Sequence, residues 1–230
     1  MEVGVVGGTG DEGFGLALRL ARAGHHIVIG SRSEDRGRQA AQRARDILGG
    51  EVTVDGTTNE SCAAAVEVVV VTVPYEGQAE IYRSIKSHLP EGRVVVDTTT
   101  PLATAVGGRP WQVLRPWHGS AAEQAEALLG RGRVRLVAGF HTVSAEPLRD
   151  LDRNVEGDVL LCGADAEAKA AVGGLVDGIA NLRWVDAGDL AMARIVEPLT
   201  ALMVSVNRRY GIKDAGVGLT GHERWGRPDA

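Results

Sequence analysis

Aromatic side chains make up 4% of this 230-residue chain, and it holds two cysteines, Cys62 and Cys162. The cysteines stand far apart and show neither C-x-x-C nor metal-ligand spacing. A sequence-local zinc or dithiol centre is therefore excluded, and two reduced, buried thiols in a cytoplasmic protein are expected. Basic residues are not in excess: 25 Lys and Arg face 30 Asp and Glu, a net charge of −5, which argues against nucleic acid as a partner. No apolar stretch approaches the length a bilayer demands, so no membrane role is expected. No basic segment precedes the first apolar run, which reads as a strand and not as a signal peptide. Repeats, low-complexity tracts and an obvious acid–base dyad are also missing, and His25, His26, His88 and His118 have no neighbour that suggests a ligand or base. What remains is an ordinary apolar fraction of 44%, mostly Val, Ala and Leu, enough for one large domain or a large one with a smaller companion.

The chain is organised by Val5-Val6-Gly7-Gly8-Thr9-Gly10-Asp11-Glu12-Gly13. An apolar run breaks into glycines and a helical stretch follows at once, with Gly8, Gly10 and Gly13 in G-x-G-x-x-G spacing. In such a turn the first glycine permits the bend and the second lets backbone approach a pyrophosphate. The third lets helix pack closely on strand. The phosphates then meet the orphan N–H groups and positive dipole end of the helix.

A second strand, from His26 to Ile29, ends in Gly30-Ser31-Arg32-Ser33-Glu34-Asp35-Arg36. Where an NAD site carries a carboxylate for the ribose 2′-hydroxyl, this chain places a hydroxyl and arginines. Ser31 can donate to a phosphate, Arg32 can grip it with a planar fork, and Arg36 lies one helical turn on. NADP is therefore expected over NAD. Glu34 and Asp35, early in a helix, suit its dipole and can point away.

Alternation continues. Helices are expected over 33–48, 61–66 and 78–88, with strands over 52–54, 68–73 and 94–97. The unbroken run from Val68 to Val73 suits a central parallel strand buried on both faces. The pattern is α/β, a Rossmann-type doubly wound parallel sheet. Thr98 to Gly119 reads as a long irregular loop holding Trp111 and Trp117, a lid or subunit contact or plain loop packing, and Thr98, Thr99 and Thr100 could donate to ribose. Ser120 to Glu123 has the form of a capping box. After Ala145 strands are expected over 158–162 and 183–185, with a helix over 165–179 between them. A long helix follows from Asp189 to Arg208, kinked at Pro198, its apolar face core or interface. Residues 220–230 read as a frayed tail. The expected division is a nucleotide-binding domain over 1–145 and a small C-terminal α/β domain over 146–230.

Four stretches together resemble the NADPH-dependent reductases of the deazaflavin coenzyme F420. They are Val5 to Gly10, Gly30-Ser31-Arg32 with Arg36, Phe140-His141-Thr142-Val143-Ser144-Ala145, and Ser205-Val206-Asn207-Arg208-Arg209-Tyr210. The resemblance covers nearly the whole chain. It implies a homodimer that exchanges hydride reversibly between NADP(H) and coenzyme F420. It implies that Thr9, Gly10, Asp11 and Glu12 hold the pyrophosphate and that Ser31, Arg32 and Arg36 clamp the 2′-phosphate. Val73, Thr100 and Ala145 would line the nicotinamide half. His141 would lie beside the deazaflavin rings as an orienting or donor group, with Asn207 near that pocket. No metal is implied. Hydride transfer between two flat rings asks the protein for orientation and exclusion of water, which fits a chain without an acid–base pair. Two alternatives stay open: another NADP-dependent reductase, of the cyclic imine type, and a non-catalytic NADP sensor. The first should carry an all-helical C-terminal domain, whereas Val159 to Leu161 and Arg183 to Val185 read as strands.

Overall fold

A computed structural model describes residues 1–221; the expected frayed tail falls almost wholly outside the described residues. Six parallel strands form the central sheet: β1 (Glu2–Val6), β2 (His26–Ser31), β3 (Val54–Thr58), β4 (Val68–Val71), β5 (Val94–Asp97) and β6 (Arg135–Ala138). Their order is β3-β2-β1-β4-β5-β6. The strand order reverses between β1 and β4, which opens a crevice at the carboxyl ends of the strands. The valines of β1, β4 and β5 are buried on both faces, as a sheet covered on each side by helices requires.

Between the strands lie α1 (Asp11–Arg22), α2 (Glu34–Leu48), α3 (Asn59–Ala65), α4 (Tyr75–Ile85) and α5 (Ala121–Leu129). The strand expected over 52–54 starts at Val54 and runs to Thr58 instead. It is an edge strand held by its register on β2 and by backbone contact with α2: a Cβ on Gly56 would meet the Gly37 carbonyl oxygen at 2.1 Å. Polar residues can occupy such a strand, which hid it from a search for apolar runs. Within the loop after β5, residues Ala103–Val106 form a 3₁₀ turn, and Leu102 bridges Val113.

Beyond β6 come α6 (Ala145–Arg149), β7 (Gly157–Leu161), α7 (Ala166–Asp177) and β8 (Leu182–Asp186). Strands β7 and β8 pair in parallel, the smaller α/β unit expected, and a bridge between Ala138 and Cys162 ties them to the edge of the large sheet. Both cysteines are buried free thiols, their pKa pushed up to about 12 by burial. The long helix expected from Asp189, kinked at Pro198, loses hydrogen bonds there and keeps its path, since Glu197 and Pro198 both stay in right-handed helical φ/ψ. A 3₁₀ turn (Leu190–Met192) leads into α8 (Ala193–Val196), and α9 (Leu199–Tyr210) starts after Pro198, whose missing N–H ends the ladder. Leu190–Tyr210 is, by length and composition, long and apolar enough to cross a bilayer, with mean hydropathy 1.3. That corrects the expectation that no such stretch exists. The segment nevertheless buries Glu197 against α5, where its carboxylate accepts from the N–H groups of Ala121 and Ala122.

Candidate functional site

The glycine turn at the end of β1 is built by close contact. Gly7, not Gly8, carries the positive φ (+75°) that makes the bend, a correction to the role the spacing assigned to the first glycine of the motif. A Cβ on Gly8 would meet the Val5 carbonyl at 2.7 Å, and one on Gly13 would meet the Thr72 hydroxyl at 2.3 Å. Gly10 is different. A Cβ there would meet nothing nearer than the Gly7 carbonyl at 3.6 Å, so protein packing does not demand glycine at that position. An open position of this kind suits the close approach of a ligand. Gly10 is also the N-cap of α1 and offers no side-chain cap, which leaves the first N–H groups of the helix for an anion.

Below the turn lies a cavity of about 650 Å³, within the roughly 300–1,000 Å³ usual for ligand pockets. Gly7, Thr9, Gly10, Ser31, Arg32, Arg36 and Val73 line it, with Asn59 and the face of α4 carrying Gly77, Ile81 and Ser84. Arg32 and Arg36 have no carboxylate partner among the described residues, because Glu34 pairs with Arg38 at 2.6 Å. Ser33 occupies the N-cap of α2 without making a cap hydrogen bond. An uncapped helix end, a glycine free of packing duty and two guanidinium groups with no carboxylate partner among the described residues suit a phosphorylated dinucleotide.

Several residues expected at the ligand are occupied elsewhere. The Asp11 carboxylate pairs with Arg149 of α6 at 2.6 Å, which leaves its backbone N–H at the open start of α1. The Glu12 side chain is half-buried beside Asp97 and Thr98, and desolvation raises its pKa to about 7, with Asp97 adding to the shift. The three threonines at the end of β5 are not ribose donors. Thr98 donates to Val71 O (3.2 Å) and Thr99 to Val73 O (3.4 Å). Thr200 of α9 gives its hydrogen to His141 O at 2.6 Å, so the 2.9 Å contact between Thr100 and Thr200 takes its hydrogen from Thr100. These hydroxyls stitch the strand ends to α9. Asn207 Oδ1 accepts from Ala215 N at 3.0 Å, holding the segment after α9.

His141 follows Phe140, whose φ of +66° is unusual for a bulky residue and re-aims the chain at the end of β6. The ring is buried, with Nδ1 3.1 Å from the Thr98 carbonyl. A carbonyl only accepts, so Nδ1 carries the proton and Nε2 a lone pair. Burial lowers the pKa to about 4, and the Thr98 hydrogen bond opposes only part of that shift. Nε2, buried and without a partner among the described residues, is then an acceptor, which suits an orienting role better than a donor one. His141, Thr100, Ala145 and Asn207 do not line the 650 Å³ cavity. Trp111 packs between Arg208 (4.2 Å from the ring centre) and Arg109 (5.4 Å), while Trp117 is 97% exposed. Ser120 caps α5 by accepting from Glu123 N at 3.0 Å. No group of three His, Cys, Asp or Glu able to hold a metal occurs among the described residues.

Sequence reasoning missed Asn59, Thr200, Glu197 and Arg149. Only Asn59 left a local signal, a cap-type Thr58-Asn59 pair opening a helix straight after a strand.

A family model described as NADP oxidoreductase, coenzyme F420-dependent, matches residues 2–101. The F420-dependent NADP reductase of Methanocaldococcus jannaschii is 39% identical over 97% of this chain and all of its own length. That of Methanothermobacter thermautotrophicus is 36% identical over 96% of this chain and 95% of its own. A crystal structure described as an F420-dependent NADP-reductase from Arthrobacter sp. FB24 superposes with a TM-score of 0.81 over 96% of this chain and all of that one, at 23% identity, and so supports the fold. With identity of this level running from end to end, the chain belongs to the F420-dependent NADP reductase family.

Proposed function

We propose that this protein is an oxidoreductase that passes hydride reversibly between NADPH and coenzyme F420. The observation that carries the nucleotide half is the cleft in which Gly10, the uncapped start of α1, Ser31, Arg32 and Arg36 converge. The deazaflavin half rests on the family. NADP(H) supplies the reactive hydride when bound. Gly7 to Gly10 hold the pyrophosphate, with Gly8 and Gly13 keeping the turn tight against strand and helix. Ser31, Arg32 and Arg36 take the 2′-phosphate, and Val73, pressed against Gly7, lines the route to the nicotinamide. Thr100 and Ala145 border the reacting end, and His141 orients ligand through its bare Nε2. Asp11 and Glu12 shape the turn from behind, and Asn207 steadies the segment that follows α9.

The same reading divides the chain at 145/146, with residues 1–145 binding nucleotide and 146–230 closing the deazaflavin side. It also takes the protein as a cytoplasmic homodimer. Support comes from the two free thiols and from apolar side chains left in solvent along the last helices, Ile195 at 60% and Leu202 at 52% exposure. Mixing protein, NADPH and oxidised coenzyme F420 and following the deazaflavin absorbance tests the activity. Bleaching is expected, and none with F420 would refute it.

A further inference from the structure

Asn59 is the first residue of α3, immediately after the strand that pairs with β2. The register sets Ser31 opposite Thr58, so Asn59 stands beside the carboxyl end of β2, next to the 2′-phosphate residues. It is 2% exposed. Its Oδ1 accepts from Gly7 N at 3.1 Å. That N–H can only donate, which settles the orientation of the amide: oxygen toward the glycine turn, nitrogen away from it. A Cβ on Gly30 would come within 3.0 Å of the same oxygen, so the amide oxygen lies close to the end of β2 as well as to the glycine turn. Asn59 lines the nucleotide cleft, and its Nδ2 makes no hydrogen bond among the described residues. Nδ2 therefore opens to the cleft and not into a sealed pocket, so a ligand oxygen can take the place of water there.

We infer that Asn59 is a fourth member of the 2′-phosphate clamp: its oxygen braces the Gly7 turn while its Nδ2–H donates to an oxygen of the phosphate on the adenosine ribose. The inference rests on the NADP reading of the cleft and adds a residue that reads the phosphate and the turn together. It explains why a buried asparagine, and not an apolar side chain, fills this gap. Neutral Nδ2–H suits the position better than a third cation, because it needs no counter-charge when the cleft is empty.

The test is Asn59→Asp in the full chain, which keeps an oxygen for the Gly7 N–H and replaces the donor with an acceptor. NADPH, NADH and 2′,5′-ADP are titrated into both proteins at pH 8 and again at lower pH. The Kd for NADPH and for 2′,5′-ADP should rise by about tenfold or more, as loss of a hydrogen bond to a charged group implies. The Kd for NADH should change little, and the NADPH loss should shrink as the carboxyl takes up a proton. Unchanged NADPH affinity, or equal losses for NADPH and NADH, would overturn the inference; the latter would leave Asn59 only a brace for the turn. If the aspartate variant does not fold, Asn59→Ala is judged by the same NADPH-to-NADH ratio. Wild-type protein that fails to bind NADPH would instead refute the NADP reading itself.

Discussion

Single residues in this protein do their work through partners that are distant in sequence. Arg32 and Arg36 are legible in the chain because they stand where a carboxylate would choose NAD, and the structure leaves both without a carboxylate partner among the described residues. Arg32→Ala should therefore weaken NADPH binding roughly ten- to a hundredfold, the size of a lost charge-assisted hydrogen bond. NADH binding should barely change. Isothermal titration with each nucleotide checks this, and equal losses would mean that no phosphate clamp exists there. A second expectation concerns acid. Burial raises Glu197 from 4.5 to about 8, opposed by the Ala121 and Ala122 N–H groups and reinforced by Asp97, and it raises Glu12 to about 7. Between those values and 4.5 the native state keeps protons that the unfolded chain has released, so stability falls as pH rises through the window. His141, lowered to about 4, acts in the opposite sense between about 4 and 6.5, where the unfolded chain binds the extra proton. Above about 6.5 only the carboxyls remain, and denaturant unfolding should show stability dropping from pH 6.5 to 8.5 by an amount on the order of a few kcal/mol. Glu197→Gln should flatten that slope, and an unchanged slope would contradict the assignment. None of this was readable beforehand, because Glu197 meets α5 only in the folded chain.

Elements were legible in proportion to how local their signals are. The Ser120–Glu123 capping pattern predicted the start of α5, and the cap is formed, with the Ser120 hydroxyl also 2.9 Å from the Glu123 carboxylate. Ser120→Ala should cost about 1 kcal/mol of stability, as N-cap removal generally does. It should leave NADPH affinity intact, since Arg194 still holds Glu123 at 2.6 and 2.7 Å. A loss of turnover without a loss of stability would make Ser120 part of the chemistry instead. Pro198 announced an interruption, which takes the form of lost hydrogen bonds along a path that continues. Here the preceding residue is held against α5. Strand β3 was misplaced because its pairing is specified by β2 and by glycine-to-glycine contact with α2, neither of which leaves an apolar period. The three threonines after β5 looked like ligand donors for a similar reason. Their acceptors, Val71, Val73 and Thr200, come from other elements.

At the scale of the whole molecule the alternation of valine-rich runs with alanine-rich helices was enough to announce a doubly wound parallel sheet, and the order β3-β2-β1-β4-β5-β6 puts its crevice above the glycine turn. The two stretches that meet in the cleft were legible because each is short and follows a strand. The meeting of His141, Thr100 and Thr200 was not, since it arises only when β5, β6 and α9 pack together. The central claim is that this fold holds two flat carriers so that hydride passes directly from one ring to the other. NADPH deuterated at nicotinamide C4, mixed with the protein and oxidised coenzyme F420 in ordinary water, tests it in a single turnover. The account predicts that the deazaflavin bleaches and that deuterium is recovered at its C5. Absence of bleaching, or a reduced deazaflavin carrying only solvent hydrogen, would contradict it.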